Sequence, residues 1–170
     1  ISAARRLTNE TILVLRKPVE TLSLTLEPPP YRLWPYEETL RTREIEALTG
    51  HAPHGPADGA LKLELNALGL DKLRRLTFTH AIHGNGLSRE ATWQAILENG
   101  DATPSRSAKK EPKYVTHGLH AYKGKFYPQL AKSILNVAGL RPGQTVFDPF
   151  CGSGTVLRSE NWSVTRTTSS

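Results

Sequence analysis

The 170-residue sequence has a single cysteine, no methionine and no long apolar run. One cysteine excludes an internal disulfide and any zinc site built on two or four cysteines. A transmembrane helix needs about 18 or more consecutive apolar residues, so the sequence predicts no membrane span and no membrane partner. The first ten residues lack the apolar core of a signal peptide. Because methionine is missing, we expect that residue 1 is not the natural start and that the chain is a fragment.

Acidic residues are scarce in one part of the chain only. The formal net charge is +6, yet residues 1–99 carry 12 basic and 12 acidic side chains. Residues 100–132 carry seven basic and two acidic side chains, interleaved with Tyr114, Tyr122, Phe126 and Tyr127. This composition suits a polyanion, because phosphates attract lysine and arginine, and a solvated linker is the alternative. The predicted nucleic-acid-binding residues are Lys109, Lys110, Lys113 and Lys123.

The first hundred residues predict a small α+β region. Alternating leucines predict strands at Leu22–Leu26 and Leu61–Leu65, and Thr11–Leu15 is a further apolar strand candidate. Residues 36–48 predict a helix with Tyr36, Leu40 and Leu48 on one side, and a short helical pattern ends near residue 76. Ser88 is the predicted cap of a helix that runs to about residue 98. We expect Trp34 and Trp93 in the core rather than as base-stacking platforms.

A different pattern follows residues 100–113, which predict a linker or loop. Pro128 can begin a helix, Gly139 can end it, and Thr145–Phe147 predict a short strand. The strand leads into Asp148-Pro-Phe-Cys-Gly-Ser-Gly-Thr155. Glycines let the backbone turn tightly and approach a ligand, and a following helix would offer free N–H groups to an anion. The order helix, turn, strand and glycine loop is the opening of an α/β nucleotide-binding unit, and the carboxylate of Asp148 at the end of the strand can bind a cationic amino group.

The octet Asp148–Thr155 resembles the cofactor motif of S-adenosylmethionine-dependent amino-methyltransferases that act on nucleic acids. Upstream, Thr116-His-Gly-Leu-His-Ala-Tyr-Lys-Gly-Lys-Phe-Tyr-Pro-Gln-Leu130 is similar to the segment before that motif in DNA methylases of cytosine N4 or adenine N6. A weaker similarity covers residues 35–45. The resemblance implies the start of a Rossmann-like class I methyltransferase domain at 114–157, after an α+β region at 1–99. It implies S-adenosylmethionine as cofactor, DNA as partner, a restriction enzyme as a further partner, and a cytoplasmic location.

The resemblance also implies individual roles. Asp148 would hold the methionine amino group of the cofactor, and the loop from Phe150 to Gly154 would contact its methionine part. Lys125 and Phe126 would lie at the outer side of the pocket. The full set of implied cofactor residues is Lys125, Phe126, Asp148, Pro149, Phe150, Cys151, Gly152, Ser153, Gly154 and Thr155.

Members of this family carry a second motif, in which a polar residue is followed by Pro-Pro and an aromatic residue. No stretch of this sequence has all four residues in that order. The motif holds the exocyclic amine and stacks on the flipped base. Pro29-Pro30-Tyr31 is preceded by Pro28, which cannot hydrogen-bond an amine, so we interpret it as a proline-rich turn. No catalytic residue is therefore assigned. Residues 158–170 hold seven serines and threonines and depart from the family pattern as an aberrant polar tail. A truncated or frameshifted product, inactive alone, is the resulting hypothesis.

Two alternatives to a DNA methyltransferase remain. A tRNA guanine-N2 methyltransferase has a similar cofactor motif, although the His-x-x-His-x-Tyr-Lys-Gly-Lys-Phe segment favours DNA. A non-catalytic remnant would bind nucleic acid through residues 100–132 without depending on the cofactor. Cys151 lies inside the glycine loop, which argues against a nucleophilic role. The paired histidines at 51/54, 80/83 and 117/120 lack further ligands, so we predict no metal site.

Overall fold

The computed structural model describes residues 21–66, 70–99, 127–141, 144–149 and 166–169. Helices and strands are mixed along the described part of the chain. In chain order they are β1 (Thr21–Glu27), α1 (Pro35–Thr49), β2 (Leu61–Asn66), α2 (Leu70–Leu73), β3 (Ala81–Gly84), β4 (Leu87–Ala91), α3 (Trp93–Asn99), α4 (Pro128–Val137), β5 (Thr145–Asp148) and β6 (Arg166–Ser169). Among the helices so described, none is long and apolar enough to cross a membrane.

Four antiparallel strands form the main sheet, in the order β2-β1-β3-β4. Leucines that alternate along β1 and β2 point to one face, because successive side chains of a strand point to opposite sides. The register places Leu24 opposite Leu63 and Leu26 opposite Leu61. All four are buried in one core cluster with Ile45 of α1. The strands predicted at 22–26 and 61–65 are thus confirmed, whereas Thr11–Leu15 lies outside the described residues.

Helix α1 covers the sheet with a buried face that is partly charged. The helix predicted at 36–48 is confirmed, but its predicted inner side is wrong in part, since Tyr36 is exposed and Arg41 is fully buried. Arg41 donates hydrogen bonds to the carbonyl of Leu26 in β1 (2.9 Å) and to the carbonyls of Ala57 and Gly59 (3.1 and 2.8 Å). Burial lowers the pKa of Arg41 to about 10. The guanidinium therefore joins α1 to β1 and to the loop before β2.

Two other details of the predicted region are wrong. Ser88 does not cap a helix, because it lies inside strand β4. The hydroxyl of Thr92 caps α3 instead, accepting a hydrogen bond from the Ala95 N–H (3.2 Å) and donating one to the Thr79 carbonyl (2.6 Å). Trp34 and Trp93 are exposed rather than buried in the core. The signal that identifies the β3–β4 hairpin is the Asn-Gly pair after Gly84, a favoured two-residue turn.

Replacing Gly84 with alanine is expected to lower the free energy of unfolding by about 3 kcal/mol. Gly84 has a φ of +129°, and a Cβ there would lie 2.5 Å from the backbone carbonyl oxygen of Ser23 in β1. Gly86→Ala is the matched control in the same hairpin. Gly86 has a φ of +80° but nothing within 4 Å of a Cβ, so we expect a loss of only about 1 kcal/mol. Urea unfolding measures both, and equal losses would contradict the steric argument.

The second half of the chain forms the helix and the strand that the sequence predicts. Helix α4 begins at Pro128, and Gly139 follows its end with a left-handed φ of +71°. Strand β5 covers the predicted 145–147 and ends at Asp148. It pairs in parallel with β6, which lies within the segment that we expected to be an aberrant polar tail. That segment therefore contributes a strand, and the domain boundaries at 99, 113 and 157 stay predictions.

Candidate cofactor-binding site

Strand β5 places Asp148 at the carboxyl end of a parallel pair. In the register of this pair, Asp148 lies opposite Ser169. Val146 and Asp148 are half-buried on one face of β5, and Thr145 and Phe147 are exposed on the other. Ligands of α/β proteins bind outside the carboxyl ends of parallel strands. A half-buried carboxylate at this edge fits a cationic amino group.

The remaining predicted cofactor residues are mostly outside the described part of the chain. Pro149 follows Asp148 directly and is exposed. The others that the structure does not describe are Lys125, Phe126, Phe150, Cys151, Gly152, Ser153, Gly154 and Thr155, together with the predicted nucleic-acid-binding Lys109, Lys110, Lys113 and Lys123. Their roles stay predictions.

Helix α4, which precedes β5 in the chain, packs against α1 and contacts α3 through its polar face. The side chains buried on this face are Gln129, Lys132, Ser133 and Asn136, whereas Ile134 on the apolar side is exposed. The sequence predicts α4 from Pro128 at its start and Gly139 after its end, and this reasoning misses the polar face. The spacing of the four polar positions, i, i+3, i+4 and i+7, is that of one helix face and was the available signal.

One part of this interface is built around Glu44 of α1. Its carboxylate accepts hydrogen bonds from the Thr77 N–H (3.0 Å), the Thr77 hydroxyl (2.7 Å) and the Asn136 side-chain amide (2.6 Å). Asn136 in turn accepts a hydrogen bond from Arg75 (3.0 Å). Burial raises the pKa of Glu44, and the bonds from Asn136 and Thr77 oppose that rise. These bonds fix the carboxyl-terminal half of α4 against the N-terminal region.

The other part is built around Lys132 and Glu98. The Lys132 ammonium donates a hydrogen bond to Gln94 Oε1 (3.3 Å), and Glu98 accepts hydrogen bonds from Gln94 (2.8 Å) and Gln129 (3.2 Å). Burial lowers the pKa of Lys132 to about 8, although the charges of Glu44 and Glu98 favour its protonated form. Burial also raises the pKa of Glu98. The Lys132 ammonium therefore bonds to Gln94, and its charge is favoured by one buried carboxyl group, Glu44, and one half-buried carboxyl group, Glu98.

The interface connects the N-terminal region with the predicted cofactor site. Helix α4 begins directly after Lys125, Phe126 and Tyr127, and β5 with Asp148 follows its end by one short connection. Because the polar contacts are directional, the N-terminal region determines the orientation of α4. The described contacts therefore fix α4, which lies between the two predicted cofactor segments in the sequence, against α1 and α3.

Tyr31, the aromatic residue of the Pro-Pro-Tyr sequence, belongs to the core. It is buried in a cluster with Leu33 and Phe78, and its hydroxyl donates to Glu98 (3.1 Å). A base could not stack on a ring that is enclosed in this way. The position of Tyr31 therefore supports our interpretation of Pro29-Pro30-Tyr31 as a turn rather than a catalytic motif.

Comparison with known proteins identifies a methyltransferase segment. Residues 119–160 match the family model of the RMKL-like methyltransferase domain, UPF0020. The chain is 49% identical over 51 residues to the type II methyltransferase M.MjaII of Methanocaldococcus jannaschii, a match that covers 30% of this chain and 9% of that protein. It is 42% identical over 36 residues to a tRNA (guanine(10)-N2)-dimethyltransferase of Methanothermobacter thermautotrophicus, covering 21% of this chain and 11% of the relative.

The matches show that the second half of the chain contains a methyltransferase-like segment, and the described residues around it include both helix and strand. In each relative, the matched part is a small fraction of the whole length.

Proposed function

Because the chain contains a methyltransferase segment, we propose that it supplies the cofactor-binding part of a DNA amino-methyltransferase. The reaction would transfer a methyl group from S-adenosylmethionine to the exocyclic amine of cytosine (N4) or adenine (N6). The segment would adopt a Rossmann-like class I fold, which is built on a mostly parallel sheet. The parallel pairing of β5 and β6 supports this proposal, because it would form part of such a sheet.

The observation that carries this proposal is the position of Asp148. It ends a parallel strand, begins the glycine-rich octet and lies within the matched residues 119–160. S-adenosylmethionine supplies a methyl group activated by its sulfonium. The chain would bind the cofactor's amino group through Asp148, and the backbone of the glycine loop would approach its methionine part. Lys125 and Phe126 would close the outer side of the pocket.

DNA is the favoured substrate, because the match to the type II methyltransferase is longer and more nearly identical than the match to the tRNA enzyme. A tRNA guanine-N2 methyltransferase is the second candidate, and the tRNA dimethyltransferase match favours it. The chain taken alone would not catalyse transfer, because Tyr31 is enclosed in the core and offers no stacking surface to a target base. A restriction endonuclease as a further partner stays a prediction.

The test is methyl transfer by the product of the whole reading frame that contains this chain. With tritiated S-adenosylmethionine, we expect label in DNA and not in tRNA. Asp148→Ala should weaken cofactor binding about 10- to 100-fold, since a hydrogen bond to a charged group contributes about 1.5–3 kcal/mol. Calorimetric titration measures the affinity.

Asp58→Ala is the matched control, because Asp58 is exposed in the loop before β2. It should leave cofactor affinity unchanged. Incorporation of tritium into tRNA instead of DNA would contradict the DNA proposal and support a tRNA guanine-N2 methyltransferase. Unchanged affinity in Asp148→Ala would overturn the assignment of the cofactor site.

A further inference from the structure

The carboxyl end of α4 is held by a side chain from the N-terminal region. Helix α4 has no basic residue in its last turn, although a cation there would interact favourably with the partial negative charge at a helix carboxyl end. Arg75, which follows α2, supplies this cation. Its Nη2 group donates to the Asn136 side-chain oxygen (3.0 Å) and to the Leu140 carbonyl (3.3 Å). We call this contact of Arg75 with Asn136 and Leu140 the Arg75 clamp.

Asn136 binds Arg75 in return and joins the clamp to α1. Its side-chain nitrogen donates to the Arg75 backbone carbonyl (3.1 Å) and to the Glu44 carboxylate (2.6 Å). Burial lowers the pKa of Arg75, and the charge of Glu44 opposes that fall. Because the side chain and the backbone of Arg75 bond to the same amide, a shift of α4 along its axis would break several of these bonds at once.

The clamp lies at the entry to β5. Leu140 is followed by Arg141, whose N–H donates to the Gln144 side-chain oxygen (2.7 Å). The Gln144 N–H donates to the Arg141 carbonyl (3.2 Å). Strand β5 begins at the next residue and ends at Asp148. The connection between the clamp and β5 is therefore itself held by hydrogen bonds at both of its ends.

The clamp also joins two parts of the chain that the comparisons distinguish. Arg75 lies outside the matched residues 119–160, whereas Asn136, Leu140 and Asp148 lie inside them. A contiguous series of hydrogen bonds can carry energetic coupling between two regions of a protein. Here the series runs from the N-terminal region to the strand that ends at the predicted cofactor residue.

We propose that Arg75 is a positioning residue for the cofactor site. By holding Asn136 and the Leu140 carbonyl, it would set the position from which β5 presents Asp148 to S-adenosylmethionine. The role of Asp148 rests on the proposed function, whereas the clamp rests on the bonds of Arg75 alone. Arg75 would not touch the cofactor and would act only through α4 and the connection after it. The N-terminal region would in this way raise the affinity of the methyltransferase segment for its cofactor.

The cofactor affinity of the product of the whole reading frame tests this proposal, with Arg75→Ala as the variant. We expect calorimetric titration to show about 10-fold weaker binding of S-adenosylmethionine, an ordinary size for coupling between two regions. The KM for the cofactor should rise by a similar factor, and kcat should stay near that of the parent. Millimolar guanidinium chloride, far below the molar concentrations that unfold proteins, should restore part of the affinity by replacing the lost group. The same concentration of sodium chloride should not.

Arg74→Ala is the matched control, because Arg74 directly precedes Arg75 and bonds instead to Glu90 of β4 (3.0 Å from its Nε). This variant should leave the affinity and the KM for the cofactor unchanged. Equal weakening in the two variants would overturn the proposal, because the loss of any arginine from this segment would then explain the effect. A fall in kcat with an unchanged KM would overturn it as well.

Hydrogen exchange followed by mass spectrometry separates failure of this proposal from failure of the proposed function. In Arg75→Ala without cofactor, the amides of β5 should exchange faster than in the parent, and those of β1 and β3 should keep the parent rates. If the parent did not bind S-adenosylmethionine, the proposed function would be contradicted, and faster exchange confined to β5 would still support the clamp. Unchanged exchange in β5, or faster exchange in β1 and β3 as well, would overturn the clamp.

Discussion

Glu44→Ala is expected to lower the free energy of unfolding by about 3–5 kcal/mol, because it breaks a buried charged network. The change would leave the Thr77 N–H, the Thr77 hydroxyl and the Asn136 amide without their acceptor. It would also remove one of the two carboxyl groups that favour the charged form of Lys132. Each buried donor that loses its partner bears a desolvation penalty of about 1–3 kcal/mol.

Urea unfolding followed by circular dichroism measures this loss. Glu46→Ala is the matched control, since Glu46 is exposed two residues further along α1. Its effect should stay within about 0.5 kcal/mol. If the two variants were equally stable, the Glu44 network would contribute nothing to the fold, and the argument that it orients α4 would be wrong.

Lys132→Met is expected to destabilise the protein by about 3–5 kcal/mol near neutral pH, and the loss should shrink in acid. The variant keeps the apolar stem of the side chain but removes the ammonium whose charge acts on buried Glu44 and half-buried Glu98. Burial already raises the pKa of both, and Lys132 opposes that rise. Without the ammonium their pKa values would rise further.

The direction of the pH effect follows from proton binding. A carboxyl group whose pKa is raised on folding binds more protons in the native state than in the unfolded state, so its stabilising effect is present at low pH and is lost as the pH rises through the folded value. Lys132→Met should therefore approach the parent protein in stability as the pH falls from 8 towards 5. In the parent protein, the folded pKa of Lys132 is about 8, below its ordinary value of 10.5. Between pH 8 and pH 10.5 the unfolded state therefore binds more protons at this lysine than the folded state does, and the free energy of unfolding rises with pH over that range.

Thermal unfolding at a series of pH values measures the effect. Lys72→Met, at an exposed position of α2, provides the control and should follow the parent protein at every pH. A loss in Lys132→Met that is the same at pH 5 and pH 8 would mean that packing of the stem, not charge, explains the role of Lys132.

Sequence reasoning succeeded where a single local pattern determined the structure. The alternating leucines of β1 and β2, Pro128 at the start of α4 and Gly139 after its end were all identified correctly. Each depends on neighbouring residues alone: the two-residue period of a strand, the fixed φ of proline and the tolerance of glycine for a left-handed φ.

The failures concern residues whose environment is made by distant segments. Glu44 is charged, but its partners Thr77 and Asn136 come from 33 and 92 residues away. Tyr36 and Trp34 look like core residues by type, but the helix turns other side chains inward. Ser88 is a reasonable cap by type, yet the Asn-Gly turn before it makes its segment a strand. At the predicted cofactor site, the sequence identifies Asp148 from its motif and α4 from Pro128 and Gly139, but not the buried polar face of α4, whose partners come from distant segments.

The burial of the polar face of α4 has a consequence for how such proteins can recombine. An apolar interface can accept many different partners, because hydrophobic contacts do not depend on the orientation of the contacting groups. The contact of α4 with α1 and α3 instead requires matched donors and acceptors: Asn136 bonds to Glu44 of α1, Lys132 to Gln94 of α3, and Gln129 to Glu98 of α3. A chimera that joined this N-terminal region to the methyltransferase segment of a relative would preserve the docking only if that segment also carried Gln129, Lys132 and Asn136 at the matching positions of its helix. The two parts of the chain are therefore expected to be inherited and exchanged together.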